Sequence, residues 1–250
     1  MKRNLGAAIL ILVASLVLAL AGQTPAVAGD RAILDILGYS RDLRYFVYEE
    51  YGEIDGVGLA YSYIYVVDLT TGEFAGGSPF RAEADEDAQQ PIADMRAKTR
   101  EAAKAELATL DILFPGEIEA LSGDGVIGPA TEMRFGLPVY TPPGATEGDY
   151  TLSLETFDLK LSETCQARID DRGKGFALSI AGDGSKRELH RDATLPEWRG
   201  CPTDYRLYAV VMPHEEGDLS NGVAIVAAYP FDFEGSSRRF VVVPIGEASE

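Results

Sequence analysis

The chain has 250 residues, of which 40 are acidic and 22 are basic, giving a formal net charge of −18 at pH 7. A negative surplus of this size repels phosphate backbones and anionic lipid surfaces, so we expect no nucleic-acid partner and no membrane binding by the mature chain. The length suits one large domain, or at most two small ones, with enough material for a buried core.

The first 28 residues have the pattern of a secretory signal peptide. Lys2 and Arg3 form a positive head, residues 5–21 are an uncharged apolar run, and 26–28 read Ala-Val-Ala. This order predicts cleavage between Ala28 and Gly29 and export to the periplasm or the exterior. The alternative, an uncleaved membrane anchor, is disfavoured because the run is slightly short for a spanning helix and Pro25 follows it. No cysteine lies at the cleavage site to carry a lipid anchor.

The mature chain, residues 29–250, opens with a block of predicted strands. Residues 45–48 and 61–69 are rich in aromatic and β-branched side chains, which fit the pleated surface of a sheet. Several glycines between residues 52 and 58 supply the loop that joins them.

One helix is predicted, as an insertion at about residues 91–114. Pro91 precedes it, where proline suits the start of a helix, and Pro115-Gly116 follows it, where the two residues end a helix. Residues at spacings of three or four form a narrow apolar stripe. The stripe consists of Ile92, Met95, Thr99, Ala103, Leu107, Leu110 and Phe114.

The remainder returns to strand patterns after a loop-rich stretch. Residues 116–148 contain many glycines and prolines and are predicted to be surface loops. Asp183-Gly184 predicts a hairpin turn, and the apolar runs 223–229 and 240–244 are predicted to pair as a hairpin. The chain is therefore predicted to be mainly β with one helix, its antiparallel hairpins and meanders forming a sandwich or an irregular propeller-like domain.

Two cysteines, Cys165 and Cys201, are the only ones in the chain. An even number of cysteines in an exported protein predicts a disulfide, and two cysteines allow one intramolecular pairing. The alternative is a catalytic thiol, which needs a neighbouring base and a reducing compartment.

No motif predicts a catalytic, cofactor-binding or metal-binding residue. The chain lacks Gly-x-Ser-x-Gly and the phosphate-binding Gly-x-x-x-x-Gly-Lys-Ser/Thr, and its two histidines, His190 and His214, are not at metal-ligand spacing. Acidic residues are numerous, and two uses of them stay open: a paired-carboxylate glycosidase and a calcium site. The acids considered are Glu49, Glu50, Glu53 and Asp55, with Asp183 as a further candidate for calcium. Because adjacent strand residues point to opposite faces, Glu49 and Glu50 cannot form one pair by themselves.

Tyrosines are concentrated in the first block, with seven of the twelve between positions 39 and 65. Tyr61, Tyr63 and Tyr65 alternate along a predicted strand and share one face. This row is a candidate binding face for a sugar or a protein partner, because tyrosine combines an apolar ring with a polar tip. The alternative is cross-strand packing inside the protein.

Five segments of the chain resemble a family of predicted secreted bacterial proteins without an assigned function. They are residues 38–52, 55–69, 201–202 with Tyr205, 222–226, and 231–235 with 238–243. The resemblance implies location and architecture but no activity. The first block is also similar to a single blade of the β-propeller repeats in periplasmic translocation proteins, although Leu43 stands where such repeats carry glycine.

Together these features favour an exported, soluble, non-enzymatic protein that binds a ligand or assembles with a protein or glycan partner. The alternative is a hydrolase of envelope glycans or glycosides that acts through carboxylates. The absence of catalytic motifs and the tyrosine-rich β block favour the first hypothesis.

Overall fold

A computed structural model describes residues 29–246, with gaps at residues 55, 126, 140, 171–172, 183, 215–217 and 233–234. The predicted signal peptide lies outside this range, so its cleavage stays a prediction. Asp55 and Asp183, which the sequence analysis singled out, fall in the gaps.

The described chain forms three antiparallel sheets and two helices. The first sheet has the order β4-β3-β2-β1-β6, with β5 also paired to β3: β1 Ile33–Ser40, β2 Tyr45–Ile54, β3 Leu59–Asp68, β4 Glu73–Phe74, β5 Phe80–Glu83 and β6 Ile112–Phe114. The second sheet has the order β11-β10-β9-β8: β8 Glu132–Pro138, β9 Thr146–Asp158, β10 Lys174–Gly182 and β11 Ser185–Arg191. The third sheet has the order β14-β13-β12-β7: β7 Gly116–Leu121, β12 Pro202–Pro213, β13 Val223–Pro230 and β14 Arg239–Pro244. The helices are α1 Ile92–Thr109 and α2 Glu163–Ile169.

The third sheet is the middle layer of the protein, and both faces of its strand β13 are buried. Along β13, Ala224 and Val226 pack towards the second sheet, whereas Val223 and Ile225 pack towards the first. A strand covered on both faces reads as a continuous apolar run rather than an alternating one, which explains the sequence of β13. The described residues therefore confirm a mainly β fold of antiparallel meanders, and they form neither a closed barrel nor a propeller.

Helix α1 covers the outer face of the first sheet, with Met95, Thr99 and Ala103 buried against it. The predicted insertion extended to residue 114, and this boundary was wrong. The helix ends at Thr109, the backbone reverses, and residues 112–114 become β6, paired with β1. The free edge of β1 supplies hydrogen-bond partners that the helical periodicity of the sequence does not reveal.

The prediction of loops over residues 116–148 was also wrong, because β7 and β8 lie inside this stretch. Gly116 does not mark a turn. A Cβ atom at Gly116 would lie 2.7 Å from Ile36 Cγ2 and 2.9 Å from Val211 Cγ1, so glycine allows the chain to pass between two sheets. Helix α2 was not predicted. The predicted pairing of β13 and β14 as an antiparallel hairpin is confirmed.

Candidate functional site

A groove of about 490 Å³ lies where all three sheets meet. The first sheet contributes the turn at residues 69–74, and the second contributes residues 187–194, which include the end of β11. The third sheet contributes residues 241–244 of β14, and Trp198 closes one side. Because each wall comes from a different sheet, the groove exists only when all three layers are assembled.

The buried carboxylate of Asp192 organises the base of the groove. It accepts hydrogen bonds from the Phe176 backbone N–H (2.9 Å) and from Arg199 Nη1 (2.8 and 2.9 Å), and His190 Nε2 lies 2.8 Å from Oδ1. Burial acts to raise the pKa of Asp192, but the contacts from His190, Arg199 and Phe176 outweigh it and leave the pKa lowered. Asp192 is therefore an ionised anchor that joins β10, β11 and the segment that follows them.

Aromatic rings form one wall of the groove. Trp198 is half-buried, and its ring centroid lies 5.0 Å from that of Phe74 and 6.4 Å from that of Tyr65. The guanidinium of Arg199 lies 5.3 Å from the Trp198 ring centroid on the protein side of this wall. Both Phe74 and Trp198 line the groove.

The predicted disulfide between Cys165 and Cys201 is present and fixes this wall. It joins α2 to the residue two positions after the 3₁₀ turn Glu197–Arg199, which carries Trp198 and Arg199. The covalent link thus restrains a segment that has little regular secondary structure of its own.

The three arginines of the groove are all engaged by groups of the protein. Arg187 Nη1 donates to the Gly246 carbonyl at 3.0 Å, and Arg191 Nε donates to Glu188 at 2.9 Å. Arg199 holds the buried carboxylate described above. The charge of Arg199 is therefore balanced by Asp192, whereas Arg187 and Arg191 each carry five N–H donors, more than these contacts use.

The predicted tyrosine face divides between the interior and an edge. Tyr61 and Tyr65 are buried between the first and third sheets, and Tyr65 stacks on Tyr48 with ring centroids 4.9 Å apart. This placement matches the packing alternative for those two rings. Tyr63 is half-buried and donates to Glu83 at 2.5 Å. Tyr65 supports the groove from behind Trp198.

Glu49 points to the outer face of the first sheet, where it joins the sheet to α1. Its carboxylate accepts hydrogen bonds from Ser62 (2.8 Å), Arg96 (3.0 and 2.8 Å) and Arg100 (3.2 and 2.8 Å). Burial acts to raise the pKa of Glu49, but these hydrogen bonds outweigh burial and leave it lowered.

Glu50 points to the opposite face, as strand alternation predicts. Its Oε1 accepts the Phe240 backbone N–H at 2.5 Å, and burial raises its pKa to about 7. Neither Glu49 nor Glu50 lines the groove, and Glu53 is exposed elsewhere on β2. The structure thus does not bring these acids together.

Sequence reasoning named His190 without a role and missed Asp192, Trp198 and Arg199. Two signals were available: Trp198 is the only tryptophan in the chain, and His190 and Asp192 are separated by two, the spacing that places strand residues on one face. His214 lies outside the groove, with Nδ1 2.6 Å from Glu117.

Within the part of the chain that the structure describes, no three potential metal-ligating side chains come together. No helix there is long and apolar enough to cross a bilayer. In comparisons with known proteins, residues 47–246 match the family described as "Predicted secreted protein (DUF2259)". No curated protein and no solved structure matches the chain.

Proposed function

Because the chain belongs to the DUF2259 family of predicted secreted proteins, we propose that it is a secreted binding protein whose three-sheet groove holds a saccharide. The observation that carries this proposal is the pairing of an aromatic wall, Trp198 with Phe74, with a rim of polar side chains. Concave sites with a few directed polar groups are the usual form of small-ligand sites.

The chemistry of a sugar fits both sides of the groove. The C–H faces of a pyranose pack on aromatic rings, and its hydroxyl groups need donors and acceptors within reach. Thr70, Thr71 and Glu73 on one rim and Glu188 on the other supply them. A purely apolar ligand would remove water from part of this polar rim without offering hydrogen bonds in return, which is unfavourable.

The charges favour a hydroxyl-rich ligand over an anion. The buried guanidinium of Arg199 is already paired with the Asp192 carboxylate, and removing that partner would leave a buried charge unsatisfied. The net charge of −18 adds long-range repulsion of anions.

The geometry favours binding over carboxylate-dependent hydrolysis. The Asp192 carboxylate is committed to three protein partners, and its lowered pKa keeps it ionised, so it is poorly suited to protonate a leaving group. The raised pKa of Glu50 would suit an acid, but this side chain is 1% exposed inside the interface of two sheets.

The single tryptophan makes the proposal directly testable. A glycan microarray that includes chitin, cellulose, starch and peptidoglycan fragments identifies ligands, and the Trp198 emission of the wild-type protein then reports binding in solution. Calorimetry on Trp198→Ala is expected to show binding weaker by about fivefold or more, since an aromatic contact contributes on the order of 1 kcal/mol or more. Trp198→Phe is expected to retain part of the affinity.

Tyr45→Ala is the matched control. Like Trp198, Tyr45 has a half-buried ring. It lies on β2 of the first sheet and packs in the cluster beneath α1, away from the groove. Its replacement is expected to leave saccharide affinity unchanged. Thermal unfolding of every variant separates loss of a contact from loss of the fold. The proposal fails if no glycan binds, or if Tyr45→Ala and Trp198→Ala weaken binding equally.

A further inference from the structure

A second cavity, of about 330 Å³, adjoins the groove along the seam between the second and third sheets. It begins at Arg187, which lines both cavities. Its other lining residues are Tyr150, Ile180, Gly182, Ser185, Leu219 and Ser220.

The ring of Tyr150 lines this cavity and is held in a fixed position. A Cβ atom at Gly182 would lie 2.3 Å from the Tyr150 ring, and one at Gly148 would lie 2.4 Å from it. The ring therefore packs directly on the backbone at two positions where any side chain would displace it. Phe135 supports it further, with ring centroids 5.6 Å apart. Tyr150 is half-buried, as Trp198 is.

Arg187 forms the ridge between the two cavities. Its guanidinium donates to the backbone carbonyls of Ile245 and Gly246, which follow β14, so the ridge is tied to the third sheet. Residues 185–192 run past both cavities, and a strand of that length extends roughly 20 Å. The seam thus offers an aromatic ring on either side of a fixed polar ridge.

We propose that the ligand is a linear oligosaccharide that lies along this seam, stacking on Trp198 on one side of Arg187 and on Tyr150 on the other. This inference rests on the proposed function of the groove and adds the length of the ligand to it. Two separated stacking rings with polar groups between them fit a chain of sugar units better than a single sugar. A short oligomer occupies the Trp198 side, and a longer one reaches both rings.

The test is the dependence of affinity on chain length. Chito-, cello- and malto-oligosaccharides of one to six units are titrated against the wild-type protein, with Trp198 emission and calorimetry as readouts. For the series that binds, the affinity is expected to rise by about tenfold at the length that reaches Tyr150. Tyr150→Ala is expected to remove this step while short oligomers bind as before, and Tyr150→Phe is expected to retain it.

Ser220→Arg tests the same point without touching the ring. Ser220 is exposed, and a long side chain there fills the second cavity, so the length step is expected to disappear while the fold is kept. An affinity that stays flat beyond the disaccharide overturns the extended ligand but keeps the groove proposal. Equal weakening of short and long oligomers by Tyr150→Ala also overturns the extended ligand and keeps the groove proposal. Failure of every oligomer to bind overturns both.

Discussion

Replacing Glu50 by glutamine is expected to abolish a pH-dependent cost of folding. The side chain is 1% exposed, inside the interface of two sheets. Burial raises its pKa from 4.5 to about 7, and the neighbouring Arg239, the Phe240 N–H and the Tyr65 hydroxyl offset this only in part. The folded protein therefore holds this proton more tightly than the unfolded chain does.

The sign and size of the effect follow from linkage. Between pH 4.5 and about 7 the folded state binds more protons at Glu50, so the free energy of unfolding falls as pH rises through this window. One pKa unit corresponds to about 1.4 kcal/mol, so the full loss is about 3 kcal/mol, complete above pH 7. Glutamine has nearly the same shape and does not titrate, so Glu50→Gln lacks this loss.

The assay is urea unfolding followed by Trp198 emission at pH 5 and pH 8. The wild-type protein is expected to lose about 2–3 kcal/mol more than Glu50→Gln between these two values. Glu49→Gln serves as the matched control, because the lowered pKa of Glu49 confines its own pH dependence to values below the unfolded pKa of 4.5; this variant is therefore expected to keep the wild-type loss between pH 5 and pH 8. If the wild-type protein and Glu50→Gln show the same pH dependence, the assignment of a buried, poorly solvated carboxyl is refuted.

Three further variants test the framework of the site. Replacing Cys165 and Cys201 by serine opens a loop with a sequence separation of 36 and is expected to lower the free energy of unfolding by about 4 kcal/mol, measured by urea unfolding against the oxidised protein. Asp192→Ala leaves the buried guanidinium of Arg199 unpaired and is expected to cost about 3–5 kcal/mol in the same assay; a loss below 1 kcal/mol would contradict its role as an anchor. Gly116→Ala places a methyl group 2.7 Å from the nearest side chain and is expected to cost about 1–3 kcal/mol, visible as a lower melting temperature.

Much of the fold could be predicted because the residue types within one segment already favour a strand or a helix there. The aromatic and β-branched content of residues 45–48 and 61–69 identified β2 and β3, and the apolar stripe from Ile92 identified the start of α1. The disulfide followed from the compartment and from the number of cysteines, without any geometry. In each case the information lies within one segment or in the composition.

The errors arose where a distant segment determines the local structure. Residues 112–114 continue the helical stripe, but they pair with the edge of β1. Strand alternation showed that Tyr61 and Tyr65 share a face, yet it carries no information about the sheet that covers them. The groove was missed for the same reason, since Phe74 and Trp198 are far apart in the chain and meet only in the assembled layers.

The middle layer of the protein is made largely from residues 202–244, which follow the strands of both outer sheets in the chain. Until they arrive, each outer sheet exposes an apolar inner face, and long-range pairings of this kind form slowly. A chain that crosses a membrane starting from its N-terminus would therefore stay loosely structured until these strands have crossed. Copies truncated before residue 202 would lack the layer that joins the other two and would be easily cleaved by proteases.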